Sequence, residues 1–254
     1  MGAGHHHRLH LPGDSPVHRL PPQCKLAAVV CFALVVVATP REWFGLFACY
    51  GALLAAVAVI ARVPPGFLLR RMAVEVPFVV FAVALPFVGS GGRTPFLGLS
   101  LSVAGLWAAW NILVKATLGV LASVLLAATT DPRMILLGAQ RLRLPQLLVQ
   151  IAMFMLRYLD VILAEMRRMR VARESRGFAA RDVRHIPVIA RSAGALFIRS
   201  YERGERVHLA MLSRGYTGSM PVLADASASS RQWLAAGMLP GVALAALLGV
   251  WGLA

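Results

Sequence analysis

The stretch VAGLWAAWNILVKATLGVLASVLLAA, residues 103–128, carries a single charge, Lys115. A helical bilayer crossing needs about 20 predominantly apolar residues, so this run is long enough to span a membrane. The whole chain agrees. Of its 254 residues 58% are hydrophobic and only 15% charged, with a mean hydropathy of +0.69. A soluble domain carries about 25% charged residues. The fold expected is therefore an all-α membrane protein.

Toward the N-terminus, GSGGRTP (89–95) reads as a turn, preceded by a third span over Met72–Val88. Pro77 and Pro86 interrupt that span, which membranes tolerate. RVPPGFLLRR (62–71) reads as a loop. Trp43–Ala61 is a second span with Trp43 and Phe44 at an interfacial aromatic belt. Pro40-Arg41-Glu42 forms a tight turn, and Leu26–Thr39 is a short first span. Residues 1–25 are a polar tail with no cleavage-like site after the first apolar run. Toward the C-terminus, residues 129–232 change character, and Trp233–Leu253 is a last clean span. The organisation expected is a tail over 1–25, transmembrane helices one to four over 26–128, a coupling-helix region over 129–232 and a last transmembrane helix over 233–254. That makes about five transmembrane helices plus long amphipathic cytoplasmic helices.

Charge sets the orientation. The net charge is +15, and 17 of the 26 Lys and Arg lie within 129–232. Basic loops stay in the cytoplasm, so the tail and the 129–232 region are expected there. Two charges fall within or beside spans, Glu75 and Lys115. Such residues are functional candidates by default, but Lys115 has no acidic neighbour at helical spacing, which favours a structural role. Cys24, Cys31 and Cys49 lack metal-ligand spacing, and Cys31 and Cys49 read as small apolar residues in apolar runs.

The 129–232 region holds two amphipathic helices. The first opens at Pro145 and carries an apolar stripe through Leu148, Ile151, Met155, Leu159, Ile162, Met166 and Met169. The second opens at Pro187, with Ile189, Ala193, Leu196, Ser200, Val207 and Met211 on its stripe. Its polar face has Arg199, Glu202 and Arg206, with Glu202 and Arg206 placed as an i,i+4 pair. Neither reads as hydrophobic enough all round for an ordinary span, although entry of 145–164 into the bilayer stays open. The first helix ends in ESRGF (174–178) and the second in LSRGY (212–216). Gly177 and Gly215 suit the left-handed position that stops a helix. Arg176 and Arg214 sit in the last turn, where the helix dipole favours a cation by about 0.3–1 kcal/mol. Capping explains Arg-Gly. It leaves unexplained why Ser175 and Ser213 precede, and why the aromatics Phe178 and Tyr216 follow. A rigid tip with one guanidinium and an adjacent aromatic makes a good docking peg, and two equal pegs suggest a symmetric dimer as partner.

These motifs identify a resemblance. The chain resembles the transmembrane T component of energy-coupling-factor (ECF) transporters, in its cobalt/nickel-type branch. That family carries two Ala-Arg-Gly signatures on its coupling helices, which stand here as Ser175-Arg176-Gly177 and Ser213-Arg214-Gly215. PPQCKLAAVV (21–30), ATTDPRMILLGAQRLRLPQLLVQIAMFMLRYL (128–159) and LFIRSYERGERVHLAMLSRGYTG (196–218) are similar too. The resemblance implies a non-catalytic subunit in a prokaryotic cell membrane. Its partners would be two ATP-binding-cassette ATPases and a separate substrate-binding membrane protein. ATP and Mg would be bound by the ATPases and no cofactor by this chain. The motif residues would dock into the ATPases.

What the sequence lacks agrees. It has no G-x-x-x-x-G-K-[ST] phosphate loop and no catalytic constellation. Nucleic acid is not an expected partner, because the arginines alternate with acidic and apolar residues. His5, His6 and His7 are weak metal candidates, as imidazole suits nickel and cobalt, while His185 and His208 read as solvated. Two rival readings remain. One is a stand-alone permease or channel whose basic region binds anionic lipid. The other is a T component shared among vitamin carriers.

Overall fold

The computed structural model describes residues 11–88, 93–96, 99–178, 182, 185–218 and 228–252. These residues are helical apart from loops and one short antiparallel hairpin, in which β1 (Arg93–Phe96) pairs with β2 (Leu99–Ser102) and Arg93 lies opposite Ser102. The described residues divide into two compact units, one of 11–142 with 228–252, the other of 143–218.

The larger unit is the apolar one. A short α1 (Pro16–Arg19) leads into α2 (Pro22–Ala38), followed by α3 (Phe44–Ile60) and α4 (Pro65–Arg71). A 3-10 turn (Met72–Glu75) then joins α4 to α5 (Val76–Val88); past the hairpin come α6 (Val103–Thr129), α7 (Pro132–Arg141) and, after the second unit, α10 (Ser230–Trp251). Phe32 and Val36 of α2, Phe47, Tyr50 and Leu54 of α3, Leu118 and Leu125 of α6, and Ala243 and Leu247 of α10 make one buried cluster. Leu34, Val59, Val80 and Leu248 face outward and exposed. Apolar residues on all sides are what a helix in lipid requires. Tyr50 is wholly buried, so its hydroxyl needs partners. It lies 3.2 Å from Thr39 Oγ1 and 3.3 Å from the Ala243 carbonyl.

Several expectations need correction. RVPPGFLLRR is not all loop. Pro65 sits at the favoured first helical position and α4 runs from there, so the chain is helical nearly without break to Val88. The third span is correspondingly broken by its 3-10 turn, and α5 has 13 residues, ~20 Å by helical rise. By contrast α6, with 27 residues, and α10, with 22, are long and apolar enough to cross a membrane, while α2 and α3 are shorter apolar helices of 17. Of the turn expected over GSGGRTP, residues 89–92 lie outside the described residues, and from Arg93 on the chain is the first strand of the hairpin.

The intramembrane charges are structural. The Thr117 hydroxyl on α6 donates to the buried Glu75 carboxylate. Lys115 Nζ donates to the Val37 carbonyl at 2.8 Å, satisfying an acceptor at the end of α2. Lys25, in sequence only one of the tail's positive charges, is 7% exposed. Its ammonium reaches three oxygens, the carbonyls of Thr129 (2.9 Å) and His18 (3.3 Å) and the Thr130 hydroxyl (3.0 Å). It thereby closes the C-terminal end of α6, where carbonyls lack helical partners and the dipole favours a cation.

Candidate functional site

The smaller unit contains α8 (Gln146–Glu174) and α9 (Ile186–Leu212). Both begin at a proline, Pro145 as N-cap of α8 and Pro187 within the first turn of α9. The paired residues fix their relative direction. Glu165 Oε1 meets Arg199 Nη1 at 2.5 Å, and Gln150 meets Tyr216 and Gly218 beyond the end of α9. Early residues of one helix thus face late residues of the other, so the pair is antiparallel. A groove of ≈ 370 Å³ lies between them, lined by Phe154, Tyr158, Leu196, Val207, Met211 and Tyr216 among others. His208 also lines it, while His185 stands edge-on to Phe178 with ring centres 5.1 Å apart. The expected Glu202–Arg206 pair is not among the ion pairs of the described residues. The second helix instead reaches an acidic residue of the first, Glu165, through Arg199.

Charge placement also revises the reading of α8. All of its charges except Arg157 and Asp160 lie from Glu165 onward. The N-terminal part of α8 is therefore long and apolar enough to count as membrane-capable by length and composition. Averaging over the whole helix conceals this.

Each helix ends in the same way, and the repeat Ser-Arg-Gly-aromatic encodes that end residue by residue. Gly177 and Gly215 adopt φ of 78° and 82°, the left-handed region. In the first tip the Gly177 amide donates to the Glu174 carbonyl (3.0 Å) and the Phe178 amide to that of Arg173 (3.1 Å). In the second, Gly215 donates to Leu212 and Tyr216 to Met211, both at 3.0 Å. This is the paired hydrogen bond of a glycine-capped helix, with the aromatic amide reaching five residues back and the glycine amide three. Ser175 Oγ donates to the Ala172 carbonyl at 3.1 Å, and Ser213 Oγ to the Ala210 carbonyl at 3.0 Å. Serine thus satisfies one further terminal acceptor in each copy. The cap hydrogen bonds account for three of the four residues and leave one. That residue is the arginine, since this cap geometry does not call for a guanidinium.

Arg176 and Arg214 are exposed and make no side-chain hydrogen bond or ion pair with any described residue. They stand at opposite ends of the pair. Tyr216 lies against the first turn of α8, and Ser175–Gly177 follow its last. Since α8 has 29 residues, a rise of 1.5 Å each separates the tips by roughly 40 Å along its axis. Each tip offers a planar fork of donors on a rigid cap, a geometry suited to bidentate carboxylate binding. His5, His6 and His7 lie outside the described residues. Cys24, Cys31 and Cys49 are free thiols, and among the described residues no three His, Cys, Asp or Glu cluster as a metal site.

Residues 13–223 match the family model CbiQ, described as cobalt transport protein. The chain is 32% identical over 230 residues to an energy-coupling factor transporter transmembrane protein EcfT of Thermanaerovibrio acidaminovorans, covering 83% of this chain and 82% of that one. An EcfT of Bacillus selenitireducens is 27% identical, with 82% of each chain covered. A putative fused cobalt transport protein CbiMQ of Methanocorpusculum labreanum is 24% identical over 81% of this chain and 36% of its own length.

Proposed function

The chain belongs to the cobalt transport protein family CbiQ, as a transmembrane T component of energy-coupling-factor transporters, and from that premise we propose that it couples two ATP-binding-cassette ATPases to a separate substrate-binding membrane subunit. Arg176 and Arg214 dock into equivalent acidic grooves on the two ATPases. ATP and Mg stay on those partners. When the ATPases close, they drive the tips, and α8 and α9 pass that displacement on as stiff rods to the substrate subunit. The tail and the 143–218 unit face the cytoplasm of a prokaryotic cell, on the positive-inside argument. The substrate is cobalt, or nickel. The family description supports the metal reading over a module shared among vitamin carriers, as does the name of the fused methanogen relative.

One observation carries this reading. Two copies of one helix cap, at opposite ends of an antiparallel pair, each hold out an arginine that makes no side-chain hydrogen bond or ion pair with any described residue. A basic surface that only held anionic lipid would need neither the duplication nor the caps. The test is co-expression of the chain with its candidate ATPases and substrate subunit, purification in detergent, and cobalt uptake in cells. Arg176→Glu and Arg214→Glu should each abolish ATPase capture while the membrane unit stays folded. Normal capture by both variants would remove the assignment.

A further inference from the structure

The two tips share a backbone but not an anchorage. Phe178 has no hydroxyl and stacks edge-on against His185, only seven positions along the same connection. Tyr216 is tied across the helix pair. Its hydroxyl donates to Gln150 Oε1 at 2.9 Å, and Gln150 Nε2 donates to the Gly218 carbonyl at 3.2 Å. One amide side chain therefore grips the chain on both sides of Thr217. Gln150 is 9% exposed, and a buried amide left without partners is costly, so the grip is specific. It also has leverage. Gln150 lies in the first turns of α8, inside the apolar half of that helix, whereas the first tip hangs on the opposite, charged end.

We infer that Gln150 is a positioning residue of the coupling machinery: by holding Tyr216 and Gly218 together it fixes the second tip, and not the first, to the opening turns of α8. The tips are then mechanically unequal. Displacement of Arg214 moves the apolar half of α8 at once, while displacement of Arg176 acts through the length of the helix. The inference rests on the reading of these tips as ATPase docking pegs, but the fixation itself is a property of this chain alone.

Two variants separate this from a general packing role. Gln150→Leu keeps the side-chain size and removes both bonds, while Tyr216→Phe removes one and keeps the ring. Hydrogen exchange of the Gly215 and Tyr216 amides, measured on the full-length chain in detergent, should speed up about fivefold in Tyr216→Phe, the equivalent of one net hydrogen bond, and at least as much in Gln150→Leu, which removes both. The Gly177 and Phe178 amides of the first tip serve as the internal reference and should not change. The double variant should show little more than Gln150→Leu, because the residues act through one bond. In liposomes holding the chain, both ATPases and the substrate subunit, cobalt uptake per ATP hydrolysed should fall by a similar factor with ATPase capture intact. Unchanged exchange at the second tip would overturn the inference, as would equal acceleration at both tips. Faster exchange with normal uptake per ATP would overturn the positioning role. A wild-type chain that captured no ATPase would instead overturn the functional reading, leaving the exchange result to decide the fixation.

Discussion

At the residue scale, glycine is used here for two different reasons, and substitution tells them apart. At Gly177 and Gly215 a Cβ would meet nothing within 4 Å, but φ is +78° and +82°. The cost of a side chain there is backbone strain, roughly 1–2 kcal/mol for an ordinary residue and less for asparagine. At Gly105 no positive φ is involved. A Cβ would lie 2.6 Å from the Leu85 carbonyl and 2.8 Å from Pro86 Cα, so α5 and α6 would have to part, a small-residue contact of the kind on which membrane helices rely. Gly215→Ala should therefore weaken ATPase capture with the melting temperature of the membrane unit unchanged, and Gly215→Asn should keep more capture than Gly215→Ala. Gly105→Ala should lower the melting temperature itself. The reverse pattern in a detergent thermal-shift series would contradict both assignments. Lys25 supports the same distinction between local and shared structure. Lys25→Met would leave the Thr129 carbonyl and Thr130 hydroxyl without their donor, at about 1–3 kcal/mol for a buried unsatisfied group. A clear fall in thermal stability is expected, and no fall would mean that water replaces the ammonium.

At the element scale the long helices were legible and the broken ones were not. The apolar run 103–128 reads directly as α6, because nothing interrupts it. Stripe spacing gave α8 and α9, and prolines gave their starts. What sequence missed follows from tertiary context. The opening of α10 at Ser230 is a capping box between Ser229 and Gln232, a pattern present in the sequence but outweighed by the apolar run that begins at Trp233. The left-handed residue after α3 is Arg62, at φ 54°, where a sequence reader looks for glycine or asparagine. The twin motif was readable as a helix stop, yet the roles of Ser175, Ser213, Phe178 and Tyr216 required the hydrogen bonds. Gln150 carried no signal, since a lone glutamine at the start of an apolar helix is unremarkable until its partner 66 residues away is in place. The helix pair makes its own prediction. Spin labels at Arg176→Cys and Arg214→Cys should report a separation of roughly 40 Å, as the helical rise requires. A distance under half of that would mean that α8 and α9 do not run antiparallel. The Glu165–Arg199 pair contributes little to holding them, because Arg199 is 60% exposed. Glu165→Gln should change stability by about 1 kcal/mol or less.

At the scale of the whole molecule, the division of labour follows from where charge is placed. The unit of α2, α3, α6 and α10 builds an apolar core and turns apolar side chains outward, and three charges in or beside its apolar helices are bound within the fold, Glu75 by Thr117, Lys115 by Val37 and Lys25 by the end of α6. The α8–α9 unit holds most of the arginines, and two of them, on glycine-capped helix ends, make no side-chain hydrogen bond or ion pair with any described residue. The direct measurement is photo-crosslinking from a benzophenone amino acid placed at position 176, at position 214, and at both, in cells that also express the ATPases and the substrate subunit. Docking at both tips predicts that each single site captures one ATPase and that the doubly labelled chain captures two. Crosslinks to lipid alone, or to an ATPase from one tip only, would contradict it.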